Sequence, residues 1–233
     1  MLQECGVGLV RLQKLNSPSK DDTKQDRWAF AAPALQRRAL TDKELAPFLT
    51  ALGLQADEVV AAQHLNNGPS FLALLVNDVD RLLSLEPDHN ALKRLGLMVG
   101  VAARRHDHPA DTTTPLIRRA NREARAFATA QAPKLTNGAT TDQKDFKDLT
   151  DPSDLEVRVF TSAVDIPEDP VTGSFNASLA QWLMAENLMP LQYIARQGTM
   201  LGRAGLVYVS QDEAGQVWVG GDVVDCIQGQ VRL

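Results

Sequence analysis

The chain has 233 residues, 44% of them apolar and 23% charged, which is enough to bury the core of one large domain or two small ones. Its net charge of -5 leaves no basic surplus for a phosphate backbone, so we expect no nucleic-acid partner. The longest apolar runs fall far short of the ~20 residues that cross a bilayer, and residues 1–20 lack a signal-peptide core, so we predict a cytoplasmic protein without a membrane partner.

The sequence before residue 104 is predicted to form short strands and helices. Thr41, with Glu44 three positions later, forms a capping box that predicts a helix ending before Gly53. The turn-forming residues 66–69 separate two apolar runs and predict a hairpin. The predicted strands cover residues 7–12, 28–32, 59–64, 71–76 and 97–102. Two short helices are predicted over residues 79–85 and 89–95.

Residues 104–154 interrupt this pattern with polar, Thr-rich and Asp/Lys-rich sequence. A segment with so few apolar residues cannot offset the entropy lost on ordering, so we interpret it as a surface insertion. One helix is predicted within it over residues 115–131, and its centre at 136–151 is expected to be disordered. We interpret His106 and His108 as solvated side chains rather than a metal pair, because no third ligand is evident.

Regular patterns return at residue 155. A strand is predicted over residues 155–160, a break at 167–173 and a helix over 174–187. The C-terminal part is predicted to be a meander, with an Asp-Glu-Ala-Gly turn and a Gly-Gly-Asp turn between its strands. Its strands are predicted over residues 193–197, 205–210, 217–220 and 223–233. Grouped strands with helices between them indicate an α+β fold.

The most specific stretch is residues 167–177, Pro-Glu-Asp-Pro-Val-Thr-Gly-Ser-Phe-Asn-Ala. Two acids enter a turn restricted by proline and a helix follows at once, so free backbone N–H groups from Gly173 onward would converge beside the Asp169 carboxylate. Such a helix start would hold a substrate carboxylate, assisted by the Thr172 and Ser174 hydroxyls, while Asp169 would meet an amine or a mobile proton. The alternative, in which Thr172 or Ser174 merely caps the helix, stays open at this point.

A second candidate stretch is residues 196–203, Arg-Gln-Gly-Thr-Met-Leu-Gly-Arg. A strand ends in the Gln197-Gly198 pair and passes through a short turn, which would bring backbone amides and the Arg203 guanidinium to a ligand. The alternative is a glycine-containing hairpin with a solvated Arg203.

Two cysteines, Cys5 and Cys226, lie at opposite ends of the chain and fit neither a disulfide framework nor a metal site. We interpret them as reduced, partly buried thiols. A racemase-type thiol pair is the alternative, but nothing around either residue supports it.

The two candidate stretches together resemble the Glu-Asp-Pro-x-Thr-Gly-Ser and Gln-Gly-x-x-x-Gly-Arg signatures of the phenazine-biosynthesis PhzF-like family, in the same order and at a similar separation. Three further stretches agree with the family pattern. They are residues 4–10, similar to a Glu-Thr/Cys-x-Gly-x-Val strand, Asn67-Gly68-Pro69 before the apolar strand at 72–76, and Val157-Arg158-Val159-Phe160 before the acidic stretch.

This resemblance implies a fold like that of the related diaminopimelate epimerases. Those proteins have two pseudo-equivalent α+β domains, each a curved sheet wrapped around a central helix, with the active site in the cleft between them. On this basis residues 1–33 would be a remnant of a truncated first domain, and residues 34–220 would be the second domain, with its polar insertion at 104–154. Residues 221–233 would form a strand that returns to the first domain.

The resemblance also implies a cofactor-independent isomerase that moves a proton on a small carboxylate-bearing metabolite in a biosynthetic process. Asp169 would be the catalytic residue. The substrate-binding residues would be Thr172, Gly173, Ser174, Gln197, Gly198 and Arg203. No metal, nucleotide or flavin is expected.

One departure from the family pattern affects the expected activity. Family members carry a Glu that moves the substrate proton and a Gly-His-Pro loop, both before the strand that opens this chain, and neither has a counterpart here. Because loss of a general base costs ~10²- to 10⁴-fold, the 233 residues are expected to be weakly active or inactive. The alternatives are a non-catalytic small-acid-binding or interaction protein and a fragment of a longer enzyme. An uncovered cleft surface favours self-association, so a homodimer is expected.

Overall fold

The computed structural model of the protein describes residues 1–6, 8–15, 26–105, 151–224 and 226–230. The helix predicted over residues 115–131 and both histidines of the polar insertion lie outside the described residues. The described residues up to 105 and those from 153 onward belong to one compact unit. The domain boundaries near residues 33 and 220 stay a prediction.

Twelve strands in the described residues form one mixed sheet. They are β1 (Leu2–Cys5), β2 (Gly8–Leu15), β3 (Asp26–Ala31), β4 (Gln36–Arg38), β5 (Val59–Asn66), β6 (Ser70–Val76), β7 (Met98–Arg104), β8 (Leu155–Thr161), β9 (Ile166–Asp169), β10 (Gln192–Gln197), β11 (Gly205–Gln211) and β12 (Val217–Val223). The order across the sheet is β1-β2-β3-β12-β11-β10-β8-β7-β6-β5-β4, and β9 pairs with β8. The β6–β7 and β8–β10 pairs are parallel, and the other pairs are antiparallel.

Four α-helices accompany this sheet in the described part of the chain. They are α1 (Asp42–Leu52), α2 (Val79–Leu83), α3 (His89–Leu95) and α4 (Gly173–Ala185). The capping box predicted for α1 is confirmed, because the Glu44 N–H donates to the Thr41 hydroxyl over 3.3 Å and the Thr41 N–H donates to the Glu44 carboxylate over 2.9 Å. Gly53 ends the helix in the left-handed conformation, with φ of 67°.

The sheet buries a hydrophobic cluster on each face, and β6 contributes to both. Its residues Phe71, Ala73 and Leu75 pack in the cluster that contains α4. Its residues Leu72, Leu74 and Val76 pack in the cluster that contains α1, α2 and α3. Because side chains alternate across a strand, the two helix layers lie on opposite faces of the sheet.

Helix α4 is the central helix of the fold. Most of its side chains are buried, including Phe175, Leu179 and Trp182. It contacts the neighbouring strands β11 and β12 and also β5, which is far from them in the order of the strands. A single helix meets such distant strands only if the sheet curves around it, so the predicted α+β architecture with a curved sheet around a central helix is confirmed.

Most predicted elements are present, including the β5–β6 hairpin, α2, α3 and the meander of β10, β11 and β12. The Gly-Gly-Asp turn was a wrong prediction: Gly220, Gly221 and Asp222 continue β12 and pair with Ala29, Trp28 and Arg27. The predicted strand over residues 223–233 is also wrong in the described residues, because Val224 and residues 226–230 form no strand. Two glycines suggested a turn, but the neighbouring β3 supplies ladder hydrogen bonds that keep them extended.

Both cysteines are exposed free thiols, so the interpretation of partly buried thiols is wrong. Cys5 lies on β1, an edge strand that pairs with β2 and is exposed along its whole length. Among the helices of the described residues, none has the length and apolar character needed to cross a bilayer.

Candidate active site

Asp169 is the last residue of β9 and stands just before the turn that leads into α4. Its side chain is partly buried, and its backbone pairs with Val159 of β8. The Thr172 hydroxyl donates a hydrogen bond of 2.7 Å to Asp169 Oδ2. The acid predicted from the sequence therefore lies at the start of the central helix.

Thr172 occupies the N-cap position of α4, yet its side chain makes no capping hydrogen bond to the helix. The hydroxyl is turned toward Asp169 instead. Helix α4 has 13 residues, and the first N–H groups of a helix have no partner within it. An N-cap side chain would accept from the N–H group of Ser174 or Phe175, and the Thr172 hydroxyl makes neither bond, so the alternative in which Thr172 caps the helix is wrong.

Gln197 ties the acidic turn to the first turn of α4. Its side chain is fully buried, at 0% exposure. The Gln197 Nε2 donates to the backbone oxygen of Asp169 over 2.9 Å and to the Thr172 hydroxyl over 3.1 Å. The Gln197 Oε1 accepts from the Thr172 N–H over 3.1 Å and from Asn176 Nδ2 over 2.9 Å. These bonds give Gln197 a positioning task within the protein, and its predicted contact with substrate stays a prediction.

Two glycines allow the β10–β11 hairpin to pack against the acidic turn. A Cβ on Gly198, which has φ of 91°, would lie 2.8 Å from the Pro170 carbonyl oxygen. A Cβ on Gly205 would lie 2.4 Å from Val171 Cγ2. The two candidate stretches are therefore in direct contact, as the prediction of one joint site requires.

Arg203 is exposed, and its backbone N–H donates to the Gly198 oxygen over 2.9 Å. This bond closes the short turn at residues 199–201. The hairpin alternative with a solvated Arg203 describes this geometry, and a substrate contact of the guanidinium stays a prediction.

Glu168, the first acid of the stretch, is bound inside the protein. Arg158 donates to it from Nε over 3.0 Å and from Nη2 over 2.8 Å. The two side chains are only 6% and 9% exposed, so Glu168 is committed to a buried ion pair rather than to solvent. The sequence suggested two acids at one turn, and the structure gives them different environments.

A second buried acid, Glu156, lies beneath the Gln197-Gly198 turn and was not predicted. Its carboxylate accepts from Arg105 Nη2 over 2.6 Å and from the Thr199 hydroxyl over 2.5 Å. Arg196 Nε donates to the same hydroxyl over 3.2 Å. The only sequence signal for this network is a Glu in a strand of mostly apolar residues, because its partners are distant in sequence.

Asn67 of the Asn-Gly-Pro stretch also reaches the start of α4. Its Nδ2 donates to the Ser174 backbone oxygen over 2.9 Å. The phenyl ring of Phe30, on β3, lies 3.5 Å from where a Cβ of Gly173 would stand. The side-chain amide of Asn67 and the aromatic ring of Phe30 thus border the start of α4.

Within the described residues no group of three or more His, Cys, Asp or Glu side chains is close enough together to hold a metal ion. The candidate site consists instead of one partly buried carboxylate, one hydroxyl that donates to it, and the N-terminal amides of α4. Such an arrangement can bind a small anion and exchange a proton with it.

Solved structures of similar fold define the fold class. The structure of a Bacillus anthracis phenazine biosynthesis protein of the PhzF family matches with a TM-score of 0.59 at 13% identity, covering 93% of this chain and 63% of that chain. A predicted epimerase from Pseudomonas aeruginosa matches with a TM-score of 0.55 at 18% identity, covering 92% of this chain and 60% of that chain. The fold is that of epimerase-like α+β proteins.

The family model of phenazine biosynthesis-like proteins, PhzC-PhzF, matches residues 1–229. The chain therefore belongs to this family. The protein named uncharacterized isomerase YddE of Escherichia coli K12 is 36% identical over 63 residues, which are 25% of this chain and 21% of that protein. The chain spans less than two thirds of the length of these relatives.

Proposed function

We propose that the protein is a cofactor-independent isomerase that moves a proton on a small carboxylate-bearing metabolite, with Asp169 as the group that exchanges the proton. The observation that carries the proposal is the hydrogen bond of 2.7 Å from the Thr172 hydroxyl to Asp169 Oδ2, which joins the acid to the start of α4. Family membership and relatives named as an isomerase and a predicted epimerase support the reaction class.

The start of α4 is the proposed binding point for the substrate carboxylate. A helix N-terminus carries partial positive charge and free N–H donors, so it favours an anion. Gly173 has no side chain to obstruct the approach, and the Phe30 ring gives the site an apolar border. A carboxylate held at Gly173 and Ser174 would place the neighbouring carbon of the substrate toward Asp169.

Asp169 would then act in general acid–base catalysis. Its carboxylate would accept a proton from the carbon next to the bound carboxylate and return it to a different carbon of the same molecule. Such a step contributes ~10²- to 10⁴-fold to a rate. Its product is an isomer of the substrate, and the residues act without consuming a redox equivalent or a second substrate.

The test is deuterium incorporation from D₂O into a panel of small amino and hydroxy acids. Weak exchange by the unaltered protein, above the buffer rate, is expected, and Asp169→Asn should reduce it to the buffer rate. Asp165→Asn is the matched control, because Asp165 lies four residues earlier, is exposed and pairs with Lys93.

The same panel separates the proposal from its alternative, a non-catalytic small-acid-binding protein. Calorimetric titration of each acid, run beside the exchange assay, measures binding. Saturable binding without exchange would support the alternative and contradict the isomerase. Equal exchange by the Asp169 and Asp165 variants would also contradict it, since the proton would then move elsewhere.

A further inference from the structure

We propose that Arg158 and Glu168 form a positioning pair that fixes β9 and thereby holds Asp169 against the start of α4. The inference rests on the proposed function for what Asp169 does there. The pair itself is defined by contacts that do not involve a substrate.

Arg158 is a fixed anchor because the protein occupies all three of its side-chain nitrogens. Nε and Nη2 donate to the two carboxylate oxygens of Glu168. Nη1 donates to the backbone oxygens of Leu82, Leu83 and Leu85, over 3.2, 3.2 and 2.8 Å. Leu82 and Leu83 are the last residues of α2, and Leu85 lies two residues beyond it. A fork of this kind binds a carboxylate in one orientation.

The strand that carries the two acids needs such an anchor. Val159 of β8 pairs with Asp169, and Thr161 pairs with Ile166, so two steps along β8 correspond to three steps along β9. This register shift is a β-bulge, which leaves one residue of β9 outside the regular ladder. The ladder alone therefore does not fix the direction in which residues 167–169 run, and the Glu168 ion pair supplies a second point of attachment.

Asp169 is thus held from two sides. Gln197 and Thr172 hold it from the side of α4, through the backbone oxygen and the carboxylate. Glu168, the preceding residue, is held by Arg158 from the side of α2 and β8. Removing one partner of a buried ion pair is costly, so release of Glu168 should move the residue that follows it.

The test compares Glu168→Gln with a matched control, Asp222→Asn. Asp222 accepts from Arg27 through both carboxylate oxygens, over 2.7 and 3.2 Å, and Arg27 lies over the Tyr208 ring as Arg158 lies over Phe160. Asp222 is on β12, so its loss removes a bidentate Arg–carboxylate pair, more exposed at 15% and 33%, without touching β9.

The readout is the pair of side-chain N–H signals of Gln197 in ¹⁵N-labelled protein, because Nε2 bonds directly to the Asp169 oxygen. In Glu168→Gln these signals should shift, and kcat for exchange should fall about 10- to 100-fold with a smaller change in KM. Both should stay unchanged in Asp222→Asn. If Glu168→Gln does not fold, Arg158→Lys takes its place. This substitution keeps the positive charge but loses the planar guanidinium group that binds both carboxylate oxygens.

Gln197 signals that do not shift in the folded Glu168 or Arg158 variant would overturn the inference. The pair would then contribute only to the stability of the protein. Signals that shift equally in Asp222→Asn would also overturn it. Absence of exchange by the unaltered protein would count against the proposed function, while the Gln197 signals would still decide whether the pair positions Asp169.

Discussion

Gln197 Nε2 donates a hydrogen bond of 2.9 Å to the backbone oxygen of Asp169, so the end of β10 holds the acid that ends β9. The same amide group bonds to the backbone and the side chain of Thr172. One fully buried side chain therefore sets the distance between the candidate catalytic acid and the start of the central helix.

Replacing Gln197 with Ala should lower the free energy of unfolding by about 2–4 kcal/mol, because the Thr172 N–H and Asn176 Nδ2 would lose a buried acceptor. Gln181→Ala is the matched control. Gln181 Nε2 donates to the Pro33 and Ala177 oxygens from a partly buried position, and its loss should cost about 1 kcal/mol. Urea unfolding measures both. Equal losses would show that Gln197 is an ordinary buried amide.

Gly100 on β7 is predicted to be intolerant of a side chain. A Cβ there would lie 2.0 Å from Cζ of Phe175, a buried residue in the first turn of α4. Gly100→Ala should destabilise the protein by about 2–3 kcal/mol through overpacking. Gly221→Ala, at a strand glycine with no atom within 4 Å of the added Cβ, should change stability by less than about 0.5 kcal/mol. A stable Gly100→Ala protein would mean that α4 can move away from the sheet.

Glu44 should make the stability of α1 depend on acid pH. The Thr41 N–H and the Arg38 guanidinium bind its carboxylate and lower the pKa of Glu44 from its ordinary value of 4.5 to about 2. A carboxyl group with a lowered folded-state pKa adds stability above its unfolded pKa and loses it as the pH falls through the folded value. Unaltered protein should therefore exceed Glu44→Gln in unfolding free energy at pH 7, with the difference disappearing between pH 4.5 and about 2. A difference independent of pH would contradict this.

Tyr193 should affect stability at alkaline pH. Burial raises the pKa of its hydroxyl above the ordinary value of 10, with the Asp154 charge as a second cause. The hydroxyl has no hydrogen-bond partner in the described part of the protein, so Tyr193→Phe should be neutral or stabilising by up to about 1 kcal/mol at pH 7. Above pH 10 the unfolded chain ionises before the folded one, so unaltered protein should lose stability that Tyr193→Phe keeps. Unfolding curves at pH 7 and above pH 10 measure this.

Local signals predicted much of the fold. The Thr41–Glu44 capping box, the turn at residues 66–69 and the helix after the acidic turn each depend on neighbouring residues alone, and each is present. Strand β9 was interpreted as a break because of Pro167. Its pairing with β8 depends on partners that no local pattern contains.

The sequence predicted which residues form the candidate site better than it predicted the role of each residue. The motifs placed Asp169 and the start of α4 together, and Gly198 packs against the acidic turn. The tasks of Gln197 and Glu168 could not be predicted, because each depends on a buried partner elsewhere in the chain, Thr172 for one and Arg158 for the other.

The most direct test of the central claim is titration of ¹⁵N-labelled protein with small amino and hydroxy acids while the backbone N–H signals are followed. If the start of α4 is the substrate site, the signals of Gly173 and Ser174 should shift saturably. Those of Asp42 and Lys43, at the start of α1 where Thr41 and Glu44 form a capping box, should not shift. Equal shifts at both helix starts, or none at Gly173 and Ser174 for any acid tested, would contradict the account.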